Sequence, residues 1–226
     1  MIASAVFFGL GQFAKDYIAY FPRILKGAPV ALSLTVLGIF FGGLLGLLIC
    51  QMKLSRRGAL KAIGSFYTWF FRGTPMMVQL YFLYFGLPKM GITLSAYAAA
   101  SIGLSLNIGA YMAEIIRGGI QAIDKGQFEA AKALGMNHVQ TMRRIVIPQT
   151  VRIILPSLGN EVITLLKDTS LVAAISLTEV LKITHQITSR EFTPLPAFAV
   201  AATFYLFFTT VLTALFGRLE RRLSVY

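Results

Sequence analysis

The chain has 226 residues and a formal net charge of +12, yet only 13% of its residues are charged while 56% are hydrophobic. A soluble domain of this size carries about a quarter charged residues. The composition therefore excludes an ordinary water-soluble fold, and the basic excess reads as membrane topology rather than as a nucleic-acid surface.

In chain order, residues 1–27 lack the basic start, apolar stretch and small-residue cleavage site of a signal peptide. Phe7, Phe8, Phe13, Tyr17, Tyr20 and Phe21 predict an N-terminal interfacial helix with its rings near the lipid headgroups. Three runs without Asp, Glu, Lys or Arg then predict membrane spans at residues 28–52, 90–113 and 192–217. At ~1.5 Å per residue, each is long enough to cross a hydrocarbon core of roughly 30 Å. Cys50 sits inside the first span, where a lone thiol behaves as a small apolar residue. Two further spans are interrupted. Residues 66–87 carry Arg72 followed by Gly73-Thr74-Pro75, and residues 153–181 carry Glu161, Lys167 and Asp168. The expectation is an all-α integral membrane protein, a single transmembrane domain over residues 1–226 with about five transmembrane helices.

Five spans put the termini on opposite sides. One set of loops holds Lys53, Arg56, Arg57, Lys61, Arg117, Lys125, Lys132, Arg143, Arg144, Arg152, Arg218, Arg221 and Arg222. The other holds only Lys15, Arg23, Lys26, Lys89, Lys182 and Arg190. The positive-inside bias places the N-terminus outside and the C-terminus in the cytoplasm.

The one large loop, residues 118–152, then faces the cytoplasm. Asp124 can cap a short helix running to Leu134, which Gly135 can end in a left-handed conformation. Asn137 and Gln140 match a capping box for a second helix through Val139, Met142 and Ile145, and Pro148 lacks a backbone donor near that helix's end. A basic helix on anionic lipid is the competing reading of this loop. DNA binding is set aside, because a short segment tethered between two spans leaves no room for a supporting domain.

The fourth span carries a polar stripe. Ser157, Asn160, Glu161, Thr164, Lys167 and Asp168 fall within one arc of about 120° at ~100° per residue. Charged groups in hydrocarbon cost ~2.5–3.5 kcal/mol each, so the stripe faces protein or a water-filled cavity. Lys167-Asp168-Thr169-Ser170 is a candidate helix break lining such a cavity. The alternative is an interhelical polar cluster with Lys167 paired to Glu161 or Asp168. In the third span Asn107, Tyr111 and Glu114 share a face; Glu114 lies beside Arg117 and reads as half of a structural pair. Arg72 either binds a substrate carboxylate or ties the bundle together through a carboxylate of its own.

Glu129-Ala130-Ala131, three residues, Gly135, nine residues and then Ile145-Val146-Ile147-Pro148 resemble the EAA motif of ABC importer permeases, with Ile147 where the family has leucine. Arg72-Gly73-Thr74-Pro75, Ala110-Tyr111-Met112-Ala113-Glu114 and Leu166-Lys167-Asp168-Thr169-Ser170-Leu171 are similar to segments of the polar-amino-acid permeases among them. The resemblance implies that residues 118–152 form a cytoplasmic coupling helix docking on an ATP-binding cassette ATPase. Phe128, Glu129, Ala130, Ala131, Gly135, His138, Val139 and Met142 would make that contact. It also implies a second permease subunit, identical or homologous, and an extracytoplasmic amino-acid-binding protein, all at a prokaryotic inner membrane. No phosphate-binding loop occurs in the chain, and no cofactor is expected in it, so ATP and Mg would sit on the partner ATPase. His138 and His185 stand apart with no metal-ligand spacing, and no nucleophile-and-base pair marks an enzyme. The expected substrate-binding residues are Arg72, Asn107, Tyr111, Ser157, Asn160, Glu161, Thr164 and Asp168. Their carboxylates favour arginine, lysine or histidine, with glutamine as runner-up. An ion-coupled secondary transporter or channel, using Glu161 and Asp168 as relays, is the alternative of a different class.

Overall fold

The structure, a computed structural model, describes the backbone of residues 2–223 and the side chains of residues 10–223. Helix α1 (Ile2–Leu25) leads directly into α2 (Ala28–Leu54), with Pro29 in the first turn of α2, where a missing N–H costs nothing. After α3 (Gly58–Gly73) and α4 (Met76–Tyr81) come a π-helical turn (Phe82–Gly86) and a 3-10 turn (Leu87–Met90), ended by Gly91 at φ 84°. Next are α5 (Ala96–Gln121), α6 (Lys125–Ala133) and α7 (His138–Thr141), then a second π-helical turn (Met142–Val146) and α8 (Ile147–Asp168). A 3-10 turn (Thr169–Ile175), α9 (Val180–Glu191) and α10 (Pro194–Leu223) complete the chain. Helices α2, α5 and α10 are long and apolar enough to cross a membrane. The residues expected as the second span pass from α3 through a break at Thr74-Pro75 into α4, and those expected as the fourth run from α8 into the 3-10 turn and α9.

The tightest packing is between α2 and α5. Gly42 and Gly46 form a small-residue seam of the kind that lets membrane helices approach closely. A Cβ at Gly42 would lie 2.2 Å from the Ile108 side chain and 3.0 Å from the Ser105 carbonyl; one at Gly46 would lie 2.8 Å from Met112 Cβ. Gly42→Leu is expected to destabilise the fold by about 1–3 kcal/mol, the usual cost of overpacking. A lowered thermal midpoint of the detergent-solubilised protein checks this, and an unchanged midpoint would mean that the seam is loose.

Two buried clusters organise the bundle. One joins Leu34 of α2, Leu80 of α4, Leu104 and Ile108 of α5, Leu165 of α8, and Val172 and Ile175 of the following turn. The other joins Tyr20 and Ile24 of α1 to Val180 and Ile187 of α9 and Val200 and Phe204 of α10. Within the second, Tyr17 donates to Thr203 (2.9 Å), Tyr20 pairs with Thr193 (2.8 Å), and Arg23 meets Glu191 at 2.7 Å. Donation by Tyr20 and Arg23 holds the Glu191 carboxyl below its ordinary range. Tyr20 therefore faces protein, contrary to the headgroup position expected for it, because its ring fills the gap under α9 and α10. Phe21 is exposed, whereas Phe7 and Phe8 fall outside the described side chains. Outward, α2 presents Val36, Phe40, Leu44 and Leu48 and α10 presents Leu206, Phe207 and Val211, an apolar exterior suited to lipid.

A helix that continues where a stop was expected lies at Pro148. Helices α7 and α8 are joined through the π-helical turn with helical dihedrals at Thr141, Val146 and Ile147. Pro148 both lacks an N–H and clashes with the carbonyl four residues back. The wider π turn in front of it absorbs both, so the chain runs from the loop into the bundle as continuous helix.

Candidate functional site

Arg72, Gly73, Thr74, Pro75 and Met76 form one wall of a cavity of about 450 Å³ whose other walls are Asn107 and Tyr111 of α5 and Glu161, Thr164 and Asp168 of α8. Each wall follows from local chemistry. Pro75 cannot continue α3, and Thr74 before it is extended (φ −115°, ψ 141°), as a residue preceding proline prefers. Asn107 and Tyr111 are one turn apart on α5, and Glu161, Thr164 and Asp168 repeat at three and four residues on α8, so each set shares a face. The opposite face of α8 buries Val162, Leu165 and Leu166. Thr164 and Arg72 are exposed in the isolated chain while Glu161 and Asp168 are half-buried, so the cavity is open on one side.

The two carboxylates in it make no salt bridge, although Arg72 acts on Glu161 and Lys167 on Asp168 at longer range. Among the described residues no Lys or Arg lies within ion-pairing distance of Glu161 or Asp168; the ion pairs there are Arg23–Glu191, Lys53–Glu114 and Arg117–Glu114. Lys167 is exposed and forms no such pair, so the polar-cluster alternative lacks its central bond. Arg72 likewise makes no salt bridge, although it acts on Glu161 at longer range; its guanidinium lies over the Tyr111 ring, 5.2 Å from the centroid. A chamber with a cation on one wall and two carboxylates on another can hold a zwitterion with an additional positive group.

Asn107 lines the cavity and also donates from Nδ2 to the Phe71 carbonyl and to Gln79 Oε1, both at 3.1 Å. Ser157 and Asn160 are exposed on the face that Glu161 and Thr164 share but do not line this cavity. Glu114 is structural, as its neighbour Arg117 predicted (2.6 Å), and Lys53 from α2 binds its other oxygen. Helix α8 does end within Lys167-Ser170, at Asp168, but without unwinding. It tightens into the 3-10 turn at Thr169, whose hydroxyl donates to Leu166 O (2.7 Å), so no open stretch of carbonyls lines the cavity there.

At the other end of α8, the loop folds as its sequence predicts. Asp124 accepts from Gly126 N at 2.7 Å and opens α6. Gly135 adopts φ 72°, with Gly135 N bonding Lys132 O and Met136 N bonding Ala131 O, both at 3.0 Å. This paired closure satisfies carbonyls at the helix end. Asn137 and Gln140 form a reciprocal capping box at 2.9 and 3.0 Å. Glu129, Ala130, His138 and Val139 are exposed, while Phe128 and Met142 are half-buried. Ala131 is fully buried, so its small size serves packing inside the knob rather than a close outside approach. Leu134, just before Gly135, is 79% exposed and with Val139 at 70% makes an apolar tip. Sequence reasoning passed over Leu134 as a helix-end residue; a large apolar side chain beside a left-handed glycine was the available signal.

The family model for binding-protein-dependent transport system inner membrane components matches residues 19–225. Among curated proteins, the probable amino-acid ABC transporter permease YckA of Bacillus subtilis is 39% identical over 212 residues, covering 94% of each chain. The arginine transport system permease ArtQ of the same organism is 38% identical over 208 residues, covering 92% of this chain and 95% of its own. Among solved structures, a crystal structure of an amino acid ABC transporter with histidines superposes with a TM-score of 0.86 at 39% identity, covering 91% of this chain and 96% of the other.

Proposed function

The chain belongs to the family of binding-protein-dependent transport system inner membrane components, and we propose that it carries a cationic amino acid into the cytoplasm. It is a membrane-spanning permease subunit of an amino-acid ABC transporter, a transport component and not an enzyme. In the proposed mechanism Arg72 receives the α-carboxylate, and Glu161 and Asp168 receive the α-ammonium and the side-chain cation. The single observation supporting this reading is that both carboxylates line the same cavity as Arg72 with no Lys or Arg in salt-bridge distance of either. Tyr111, Thr164 and Asn107 supply the remaining polar lining.

The open side of the cavity calls for a second permease subunit, identical or homologous, to close the chamber. On the cytoplasmic side, the knob from Asp124 to Met142 docks on an ATP-binding cassette ATPase that holds ATP and Mg. Ala130, Glu129, His138 and Val139 are available at its surface, with Leu134 added to them. Continuity of α7, the π turn and α8 gives movement of the knob a helical path to Glu161 and Asp168. An external binding protein delivers the substrate to the opposite face, where the N-terminus lies.

Co-purification with the ATPase subunit, followed by ligand-stimulated ATP hydrolysis across amino acids, tests the reading. Arginine, lysine or histidine is expected to stimulate hydrolysis at concentrations about tenfold below glutamine, a difference of ~1.4 kcal/mol. Best stimulation by glutamate, or uptake in vesicles that needs no ATPase, would contradict it.

A further inference from the structure

The helix break beside Arg72 is clamped by an amide pair. In a continuous helix the Phe71 carbonyl would accept from the backbone nitrogen of residue 75, but Pro75 has no hydrogen to give. That carbonyl instead receives two side-chain donors, Gln79 Nε2 at 2.9 Å and Asn107 Nδ2 at 3.1 Å. Gln79 Nε2 also lies 3.0 Å from Thr74 O and 2.8 Å from Thr74 Oγ1, while Thr74 Oγ1 donates to the Phe70 carbonyl at 2.9 Å. Gln79 Oε1 accepts from Asn107, which closes the network across to α5. The Gln79 side chain therefore reaches back from α4 over the whole break, and the residue is only 6% exposed.

An apolar residue at position 79 would fill space equally well between α4 and the bundle. A buried amide there is explained by the carbonyls it satisfies, since leaving them bare is costly. Those carbonyls flank Arg72 on both sides. The bonds fix the angle at which α3 ends, and so the direction in which the last side chain of its final turn, Arg72, leaves the backbone to lie over Tyr111.

We propose that Gln79, acting with Asn107, is a positioning residue for substrate recognition: it locks the broken helix so that Arg72 is aimed at the α-carboxylate of the amino acid. The inference rests on the reading of the cavity given above. Gln79 does not line the cavity, so its effect on a ligand passes through Arg72.

The test uses the purified transporter complex without binding protein and two probes, L-arginine and L-argininamide, which lacks the carboxylate charge. Wild type is expected to bind arginine more tightly than the amide. Gln79→Leu is expected to erode that preference by about tenfold, the scale of one charge-assisted hydrogen bond, while affinity for the amide stays within about twofold. Gln79→Glu retains an acceptor for Asn107 but, protonated among these carbonyls, offers a single O–H donor where the amide has two N–H, and is expected to lose part of the preference. If neither variant assembles, Asn107→Ser, which removes one of the two donors to the Phe71 carbonyl, is expected to lose part of the preference. Equal weakening of both probes, or an intact preference, would reduce Gln79 to a packing role and overturn the proposal. Arg72→Gln separates the two levels of the argument: a preference that survives this change overturns the carboxylate reading of the cavity itself, whatever Gln79 does.

Discussion

Glu161→Gln is expected to lower uptake of a cationic amino acid about 30-fold or more while leaving membrane insertion and basal ATP hydrolysis in place. The substitution keeps the shape of the side chain and removes its charge. No protein cation within pairing distance depends on that carboxylate, so its loss leaves no stranded positive group in the fold. The cost falls on the ligand. Removing one partner of a desolvated charge pair costs about 2–5 kcal/mol, and each 1.4 kcal/mol is tenfold. Because Glu161 is only half-buried in the isolated chain, the lower end of that range sets the forecast. Asp168→Asn should act in the same direction. Uptake of labelled arginine and of glutamine in reconstituted vesicles checks both: the ratio between them should shift towards the neutral amino acid. Equal loss for the two substrates would assign Glu161 a structural part.

The second large effect is expected at Gly135, which sits at φ 72° where a residue with a Cβ is strained by about 1–2 kcal/mol. Gly135→Leu should displace the turn that orients α6 against α7. The bonds at stake are Gly135 N to Lys132 O and Met136 N to Ala131 O. ATP-driven uptake is expected to fall about tenfold or more, and the ATPase subunit should co-purify in reduced amount. Binding of substrate in the cavity should be unaffected, because Gly135 belongs to the knob and touches none of the cavity lining. Glu129→Lys, a charge reversal on the exposed face of α6, should reproduce the loss without straining the backbone. Retained coupling in both variants would mean that the motor engages another surface.

What could be read from the sequence was whatever repeats or caps locally. The carboxylates of α8 announced themselves by spacing around a helix, and Asn107 with Tyr111 did so one turn apart; the cavity brings Glu161, Thr164, Asp168, Asn107 and Tyr111 together with Arg72. Asp124, Gly135, Asn137 and Gln140 were legible because a cap is a contract between neighbours in sequence. Contacts between helices were not. Lys53 lies far from Glu114 along the chain, and nothing in either segment advertises the bond. Gln79 gave no signal in the apolar second span, since one of its partners is the Phe71 carbonyl orphaned by Pro75. Pro148 read as a stop because the π turn that tolerates it has no simple residue signature. Ser157 shared the stripe but lies about one turn along α8 from Glu161, and Asn160 sits at the edge of the arc, so helical phase fixed neither the depth nor the width of the face the cavity uses.

The central claim is that one amino acid occupies the chamber between Arg72 and the two acidic side chains of α8. A structure of the purified complex equilibrated with L-arginine tests it directly. The account predicts ligand density within hydrogen-bonding distance of Arg72 at the carboxylate end and of Glu161 or Asp168 at the guanidinium or ammonium end. Density for arginine elsewhere in the bundle, with this chamber holding only solvent, would contradict it.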